Sequence, residues 1–182
     1  MKTLTNKDLT EKSIKIVLIG LDNSGKTSIL TCLRGVKGIS AFNSPPPTRG
    51  EDWKSFEALN SHYVIFDLGG QKAFRDEYFN DFDKYLIGTR KIIYVIDVQD
   101  VNRYDEAIGY LEKVIDSMEK NKEINFSIFL HKFDPDIVFN KVLSEKVINA
   151  LIKRIKKTIP LKFNYSLHKT SIYAIFEKST IT

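Results

Sequence analysis

The strongest constraint on the fold of this chain is the pattern Gly-x-x-x-x-Gly-Lys-Thr at residues 20–27. An apolar run, IKIVLI, precedes it directly, and a helix-forming run, SILTCL, follows it. A loop between a buried strand and a helix directs successive backbone N–H groups and the positive end of the helix dipole at an anion. The pattern therefore predicts a strand–loop–helix unit that binds phosphate groups, and we call residues 20–27 the phosphate loop.

The side chains of the phosphate loop predict how a nucleotide is held. Lys26 can reach the terminal phosphates, and the Thr27 hydroxyl can bind Mg²⁺. The expected nucleotide contacts are Asp22, Asn23, Ser24, Gly25, Lys26, Thr27 and Ser28. The loop alone does not separate GTPases from ATPases or nucleotide kinases, so other motifs must identify the base.

Short apolar runs alternate with helix-period segments, which predicts an α/β fold. The strand candidates are residues 14–19, 63–66, 92–98, 126–130 and 163–167, with a weaker one around 52–58. Amphipathic helices are expected at residues 105–119 and after Ser144, and Pro160 closes the second of them. We expect a six-stranded, mostly parallel sheet with helices on both faces and a ligand at the carboxyl ends of the strands.

A second motif, Asp-Leu-Gly-Gly-Gln at residues 67–71, ends the second strong strand. Asp67 is placed to hold Mg²⁺ through a water, and the Gly70 N–H can bind a γ-phosphate. Gln71 can orient an attacking water and is the candidate catalytic residue. The motif predicts a nucleotide-dependent switch with a hydrolytic step.

The segment that completes the Mg²⁺ shell is expected after the three prolines at residues 45–47. Thr48 is the candidate metal ligand there. We expect residues 39–50 and 69–80 to be loops that the γ-phosphate and Mg²⁺ order and that hydrolysis releases. The sequence offers no convincing arginine for catalysis in cis, so intrinsic hydrolysis should be slow and need an activating protein.

The base is predicted by His-Lys-Phe-Asp at residues 131–134. Asp134 can accept hydrogens from both N1 and N2 of guanine, which adenine cannot offer, and the Lys132 stem can lie over the purine ring. Ser171 and Ile172 follow the last strand, where the Ile172 N–H can meet guanine O6. With His131, these residues predict binding of GTP and GDP.

Composition bounds the domain organisation and location. The 182 residues fit a single domain over residues 1–182, and truncation after residue 182 stays open. No stretch reaches the roughly 18 apolar residues of a membrane span, and the lone Cys32 cannot form an internal disulfide, so we expect a cytoplasmic protein. Cys32 lies beside Leu30 and Leu33 and is predicted to be a small buried hydrophobe.

The net charge of +5 comes mainly from the C-terminal third. Between residues 141 and 169 the lysines and arginines are Lys141, Lys146, Lys153, Arg154, Lys156, Lys157, Lys162 and Lys169. A solvated helix face is the ordinary interpretation, while an acidic partner or an anionic membrane surface is the alternative. No aromatic residue lies between Lys141 and Lys162, so we do not expect nucleic-acid binding. Peripheral membrane contact, through this patch or a partner, stays open.

Several segments resemble known families of small GTPases. GLDNSGKTS, PTRG after the proline run and DLGGQ resemble the Arf family. IIYVIDVQD, NFSIFLHKFD and KTSIYAIFE resemble the Rag GTPases, which have His where most small GTPases have Asn. The resemblance implies a Ras-like P-loop NTPase fold, intermediate between the two families. It also implies Mg²⁺, exchange and activating proteins, and effectors.

Two alternatives to a hydrolysing switch follow from these motifs. The Rag resemblance allows a nucleotide-locked scaffold that acts through homo- or heterodimerisation with little hydrolysis, although the retained Gln71 favours turnover. An ATP-using enzyme needs phosphate-clamping arginines and a lid, which the sequence does not show. His131 in place of Asn removes an amide that normally ties the base-binding loop to the phosphate loop, and the Rag resemblance implies that guanine binding survives this change.

Overall fold

The computed structural model describes residues 13–35, 51–58, 61–118, 123–139 and 142–172. In chain order the elements are β1 (Ser13–Gly20), α1 (Lys26–Leu33), β2 (Glu51–Ala58), β3 (Ser61–Leu68), α2 (Lys72–Asn80), α3 (Phe82–Leu86), β4 (Thr89–Asp97), α4 (Tyr104–Ser117), β5 (Asn125–His131), α5 (Glu145–Thr158) and β6 (Ser166–Lys169). Short 3₁₀ turns occupy Val101–Arg103 and Pro135–Phe139. Within these ranges, no helix is both long and apolar enough to cross a bilayer.

The strands form one six-stranded sheet in the order β2-β3-β1-β4-β5-β6. Only the β2–β3 pair is antiparallel, and β1 pairs in parallel with both β3 and β4. The predicted mostly parallel sheet is therefore confirmed. Because parallel strands share one carboxyl edge, Gly20 of β1, Asp67 of β3 and His131 of β5 all end near the same rim.

Side chains alternate between the two faces of the sheet, as a strand period of two requires. Along β1, Val17 and Ile19 enter one core while Leu18 enters the other. The first core also receives the buried sides of α2–α5, and the second receives Ile29 and Leu30 of α1. The central strands are apolar on both faces because both faces are covered.

The two predicted amphipathic helices are confirmed as α4 and α5. Buried residues of α5 are Ile148, Leu151 and Ile155, which follow the helical period. Ser144 occupies the N-cap position with an extended backbone, and the helix ends before Pro160. Helical periodicity thus placed both helices to within two residues.

The structure corrects three predictions. The last strand is Ser166–Lys169 rather than residues 163–167, because Phe163 follows a turn at Pro160 and packs edge-on against the Phe126 ring. Most of residues 69–80, predicted as a loop, is helix α2. Cys32 is exposed rather than buried, because the buried residues of α1 end at Leu30 and the last turn of the helix, with Leu33, is exposed.

Candidate functional site

The phosphate loop connects β1 to α1 as predicted. Gly25 caps the helix with a φ of 93°, in the left-handed region that favours glycine. The buried Lys26 ammonium turns back over the loop and donates to the carbonyl oxygens of Gly20 at 3.0 Å and Leu21 at 2.7 Å. These contacts hold a positive charge at the helix N-terminus, where an anion is already favoured.

The environment of Lys26 disfavours its charge. Burial lowers the pKa of this ammonium to about 8, although the nearby carboxylates of Asp67 and Asp22 oppose the shift. A bound phosphate adds negative charge beside the ammonium and restores its preference for the protonated form. Binding of an anion in the phosphate loop is therefore expected to stabilise the charged form of Lys26.

Two oxygen ligands predicted for Mg²⁺ lie together at the rim of the sheet. The Thr27 hydroxyl at the start of α1 donates to Asp67 Oδ2 at the end of β3, 2.5 Å away. A hydroxyl and a carboxylate are hard oxygen donors of the kind that Mg²⁺ binds directly or through water. The residues therefore fit the ion. Thr48, the third predicted ligand, lies outside the described residues.

The Asp-Leu-Gly-Gly-Gln segment rests directly on the phosphate loop. A Cβ atom added at Gly70 would lie 2.1 Å from the backbone nitrogen of Asp22, so only glycine fits at this distance. Gln71 follows at the N-cap of α2 and is half-buried. Gly70, the predicted γ-phosphate contact, thus lies against the phosphate loop, and Gln71, the predicted catalytic residue, is its neighbour in the chain.

His131 ends β5 and is 3% exposed. Its Nδ1 lies 3.0 Å from the Thr170 hydroxyl, and its ring edge packs against Gly25, where an added Cβ would meet Cδ2 at 2.5 Å. Burial, and then the charge of Lys132, lower the pKa of the imidazole. The histidine therefore links the phosphate loop to the base-binding loop by ring packing instead of amide hydrogen bonds.

Side chains at and around the predicted base site come together from three loops. Ser171 donates to Asp134 Oδ1, and the Gln99 amide donates to Asp134 Oδ2 at 2.9 Å. Lys132 pairs with Asp97 at 2.6 Å. Ile172 packs against the core that includes α1. Asp134, Lys132 and Ser171 are therefore connected in one cluster through Gln99, while Ile172 follows Ser171 in the chain.

Three residues that hold the site in shape were not predicted. Arg103 pairs with Asp22 of the phosphate loop at 2.9 Å and also contacts the Asp22 carbonyl and Asp100. The buried Arg75 pairs with Glu106 and so attaches α2 to α4. Gln99 is the third. Their only sequence signal is that Gln99 and Arg103 come shortly after β4, near the carboxyl edge where ligands bind.

The remaining predicted residues of the phosphate loop line the same turn. Asn23 has a φ of 59° and is exposed, whereas Ser24 is buried. The Ser24 hydroxyl has no hydrogen-bond partner within the described parts of the chain. Ser28 follows in the first turn of α1. All of them lie on the path between β1 and α1 that the pattern predicted.

The phosphate loop after β1, the glycine motif after β3 and the Lys-x-Asp cluster after β5 define a P-loop protein of the small-GTPase class. The fold matches the small GTPase Arl6 (BBS3) of Trypanosoma brucei, solved with the nucleotide analogue GppNp, at a TM-score of 0.63 and 20% identity over 87% of each chain.

Sequence comparisons refine the class. ADP-ribosylation factor-like protein alp41 of Schizosaccharomyces pombe is 30% identical over 179 residues, which are 98% of this chain and 83% of that protein. ADP-ribosylation factor-like protein 2 of Dictyostelium discoideum is 33% identical over 126 residues, 69% of this chain and 64% of its own. The profile of the ADP-ribosylation factor family matches residues 1–174. The chain belongs to this family of small GTPases, and its likeness to Rag GTPases stays a prediction.

Proposed function

We propose that this Arf-family GTPase is a regulatory switch that binds GTP and GDP with Mg²⁺ and hydrolyses GTP slowly. The observation that carries the proposal is the contact between Thr27, the last residue of the phosphate loop, and Asp67, at 2.5 Å. It brings together the two described side chains proposed to bind the metal. Gly70, the proposed γ-phosphate contact, follows Asp67 in the same motif and lies against Asp22 of the phosphate loop.

Thr27 and Asp67 are the described residues that would hold Mg²⁺, and Thr48 is proposed as a third ligand. When bound, the ion neutralises charge on the β- and γ-phosphate oxygens. Lys26 and the backbone N–H groups of the loop bind the phosphates from the other side. Together they hold the terminal phosphate in one orientation for attack by water.

Hydrolysis is assigned to Gln71, which can orient a water for in-line attack on the γ-phosphate. Loss of that phosphate removes the partner of the Gly70 N–H, and Gly70 is continuous with α2 through Gln71. Arg75 attaches α2 to Glu106 of α4, so movement of α2 must break or carry this ion pair. The state of the nucleotide would thereby change the surface that α2 and residues 39–50 present to effectors.

The described residues include no arginine that we assign to the transition state. Arg75 and Arg103 are each engaged in ion pairs with carboxylates. An arginine supplied by a partner is worth about 10³ to 10⁵ in rate for GTPases. We therefore propose that a GTPase-activating protein accelerates hydrolysis and that an exchange protein releases GDP, in the cytoplasm.

The experiment that tests the proposal compares the wild-type protein with Gln71→Leu. Single-turnover hydrolysis of GTP should fall at least about tenfold in the variant, while GTP affinity stays within about twofold, because Gln71 acts on water rather than on binding. The control variant is Asn102→Ala, because Asn102 is an exposed amide outside the site. A change at Gln99 would not be a suitable control, because Gln99 contacts Asp134. Undiminished hydrolysis in Gln71→Leu would remove Gln71 from its role.

The same purified proteins distinguish the Rag-like alternative from a hydrolysing switch. A nucleotide-locked scaffold binds guanine nucleotide, forms a dimer and shows wild-type hydrolysis no faster than Gln71→Leu. A switch instead converts bound GTP to GDP. Measuring the mass of the protein with GDP and with a non-hydrolysable GTP analogue distinguishes a monomer from an obligate homodimer.

One surface favours membrane contact. Lys146, Lys153 and Lys157 are exposed and lie within about 40° of one another around α5. Leu161, just beyond the helix, is fully exposed. Each lysine near an anionic leaflet contributes about 1 kcal/mol. We propose weak peripheral binding of this basic face to anionic lipid.

Vesicle sedimentation tests the membrane proposal. Binding should increase when phosphatidylserine is added to phosphatidylcholine vesicles and should decrease in the double variant Lys153→Glu/Lys157→Glu. Lys113→Glu, on the exposed side of α4, is the control and should bind like the wild type. Equal binding to both vesicle compositions would contradict the proposal.

A further inference from the structure

The Gln99 side chain bridges two groups of the base-binding loop. Its Nε2 donates to the Lys132 carbonyl oxygen at 2.9 Å and to Asp134 Oδ2 at 2.9 Å. Its backbone N–H donates to Asp97 Oδ1 at 2.9 Å, and Asp97 also pairs with Lys132. Gln99 thus connects the end of β4 to the turn after β5 through its backbone and its side chain.

The turn that Gln99 contacts has an unusual backbone. Lys132 has a φ of 58°, in the left-handed region that non-glycine residues rarely adopt and that costs about 1 to 3 kcal/mol. A hydrogen bond to its carbonyl oxygen offsets part of this cost. Asp134 follows two residues later, so the conformation of Lys132 sets the direction in which the Asp134 side chain leaves the turn.

The Asp134 carboxylate is held at both oxygens. Ser171 donates to Oδ1, from the loop after β6, and Gln99 donates to Oδ2, from the loop after β4. A carboxylate has about four acceptor positions, so two such bonds leave capacity for the N1–H and 2-amino hydrogens of guanine. Donors on both oxygens restrict rotation of the carboxylate and reduce the ordering cost of binding a base.

The chemistry of an amide suits this position. One NH₂ group carries two hydrogens and can serve the Lys132 carbonyl and the Asp134 carboxylate at once. A glutamate of the same size has no hydrogen to donate at neutral pH and would place a second carboxylate against Asp134. An asparagine at position 99 would be about one methylene shorter, so its amide would reach less far towards Lys132 and Asp134.

We propose that Gln99 is a positioning residue for base selection, which holds the Asp134 carboxylate in the one orientation that reads guanine N1–H and the 2-amino group together. The inference rests on the proposed binding of guanine nucleotides. It assigns to Gln99, which was not among the predicted site residues, a share of the specificity carried by Asp134.

The test compares GDP with inosine diphosphate, which lacks the 2-amino group but keeps N1–H. Affinities are measured by equilibrium titration of nucleotide-depleted wild-type, Gln99→Ala and Asn102→Ala proteins. In Gln99→Ala the preference for GDP over inosine diphosphate should fall about tenfold, since a mobile carboxylate can still meet one donor but rarely both. Asn102→Ala should keep the wild-type preference.

Thermal unfolding of each variant shows whether a changed nucleotide preference comes from altered base selection or from a loss of folding. If Gln99→Ala does not fold, Gln99→Glu keeps the side-chain length, removes the donor and should lose the same preference. An unchanged ratio of the two affinities in the folded variant, including equal weakening of both nucleotides, overturns the inference. A wild-type protein that binds GDP no better than ADP overturns the proposed function itself, which is a different result.

Discussion

At the phosphate end of the site Lys26 and Gly70 contact backbone atoms, whereas at the base end Asp134 and His131 are held by other side chains. Lys26 binds the carbonyls of Gly20 and Leu21, and Gly70 lies against the Asp22 nitrogen. The contacts of Lys26 join residues of one short segment, and Gly70 approaches Asp22 because it has no side chain. The local motifs therefore identify both residues from the sequence.

The base end is assembled from loops far apart in the chain. Asp134 is held by Gln99 and Ser171, and His131 by Thr170. None of these partners is fixed by spacing within one motif. The difference teaches that the phosphate end should tolerate few substitutions, while the base end should tolerate coordinated ones.

The largest effect is expected where the two ends touch, at Gly25→Ala. The new methyl group meets His131 at 2.5 Å and the backbone keeps a φ of 93°, so nucleotide affinity should fall at least about 100-fold. Adding His131→Ala should recover part of the loss by removing the clash. Equilibrium nucleotide titration measures both changes.

The variant Gly88→Ala distinguishes the effect of backbone strain from the effect of a steric clash with a neighbouring side chain. Gly88 has a φ of 68°, and an added methyl group meets no atom of the described chain within 4 Å. It should cost about 1 kcal/mol of stability and leave nucleotide affinity unchanged. If Gly25→Ala leaves nucleotide affinity as unchanged as Gly88→Ala does, Gly25 and His131 are not in the contact described. The same conclusion follows if adding His131→Ala recovers none of the lost affinity.

The second effect is a pH dependence at the phosphate end. Burial lowers the pKa of Lys26 to about 8, and a bound phosphate raises it again, so binding takes up a proton above pH 8. GDP affinity should fall by up to about tenfold for each pH unit above 8. Titrations between pH 7 and 9.5 measure this, with Lys26→Met as the control that lacks the titrating group. A flat profile in the wild type would contradict the role of Lys26.

The third effect is acid sensitivity at the base end. The pKa of His131 is lowered by burial, so below about pH 6.5 the unfolded chain binds the proton more readily than the folded one. The free energy of unfolding should therefore decrease as the pH falls, by up to about 1.4 kcal/mol for each unit. Urea unfolding from pH 7 to 5 checks the sign.

His131→Asn should remove much of this acid sensitivity while keeping a side chain that can bind Thr170. His168→Asn, at an exposed position, is the matched control and should retain the wild-type slope. The prediction fails if both variants lose stability with acid as the wild type does, because the sensitivity then comes from other groups.

The smallest effect is expected for Arg103→Ala. Arg103 braces the phosphate loop through Asp22, and its loss should speed GDP release about three- to fivefold, in line with about 1 kcal/mol for a partly exposed ion pair. Stopped-flow release of a fluorescent GDP analogue measures the rate. Arg154→Ala, which breaks an exposed pair with Asp105, should release at the wild-type rate. Equal rates of GDP release from the wild type, Arg103→Ala and Arg154→Ala would show that the Arg103–Asp22 ion pair does not slow release.

The errors of prediction have a common physical cause. Residues 69–80 are predicted as a loop because the γ-phosphate and Mg²⁺ are expected to order them, yet Arg75 and Tyr78 are buried and make α2 a packed helix. Phe163 looked like part of a strand because it is apolar, but it packs against Phe126 from a turn. In both cases a tertiary contact overrode the local pattern.

The sequence by itself determined the phosphate loop, the order of the strands along the chain and the amphipathic helices, because each depends on local spacing, periodicity or backbone freedom. Only the tertiary structure decided that Gln99 reaches Asp134, that Arg103 braces Asp22 and that the His131 ring packs on Gly25. These contacts join residues from separate loops at one edge of the sheet. Their partners are fixed by how the strands are arranged in space, which no local pattern records.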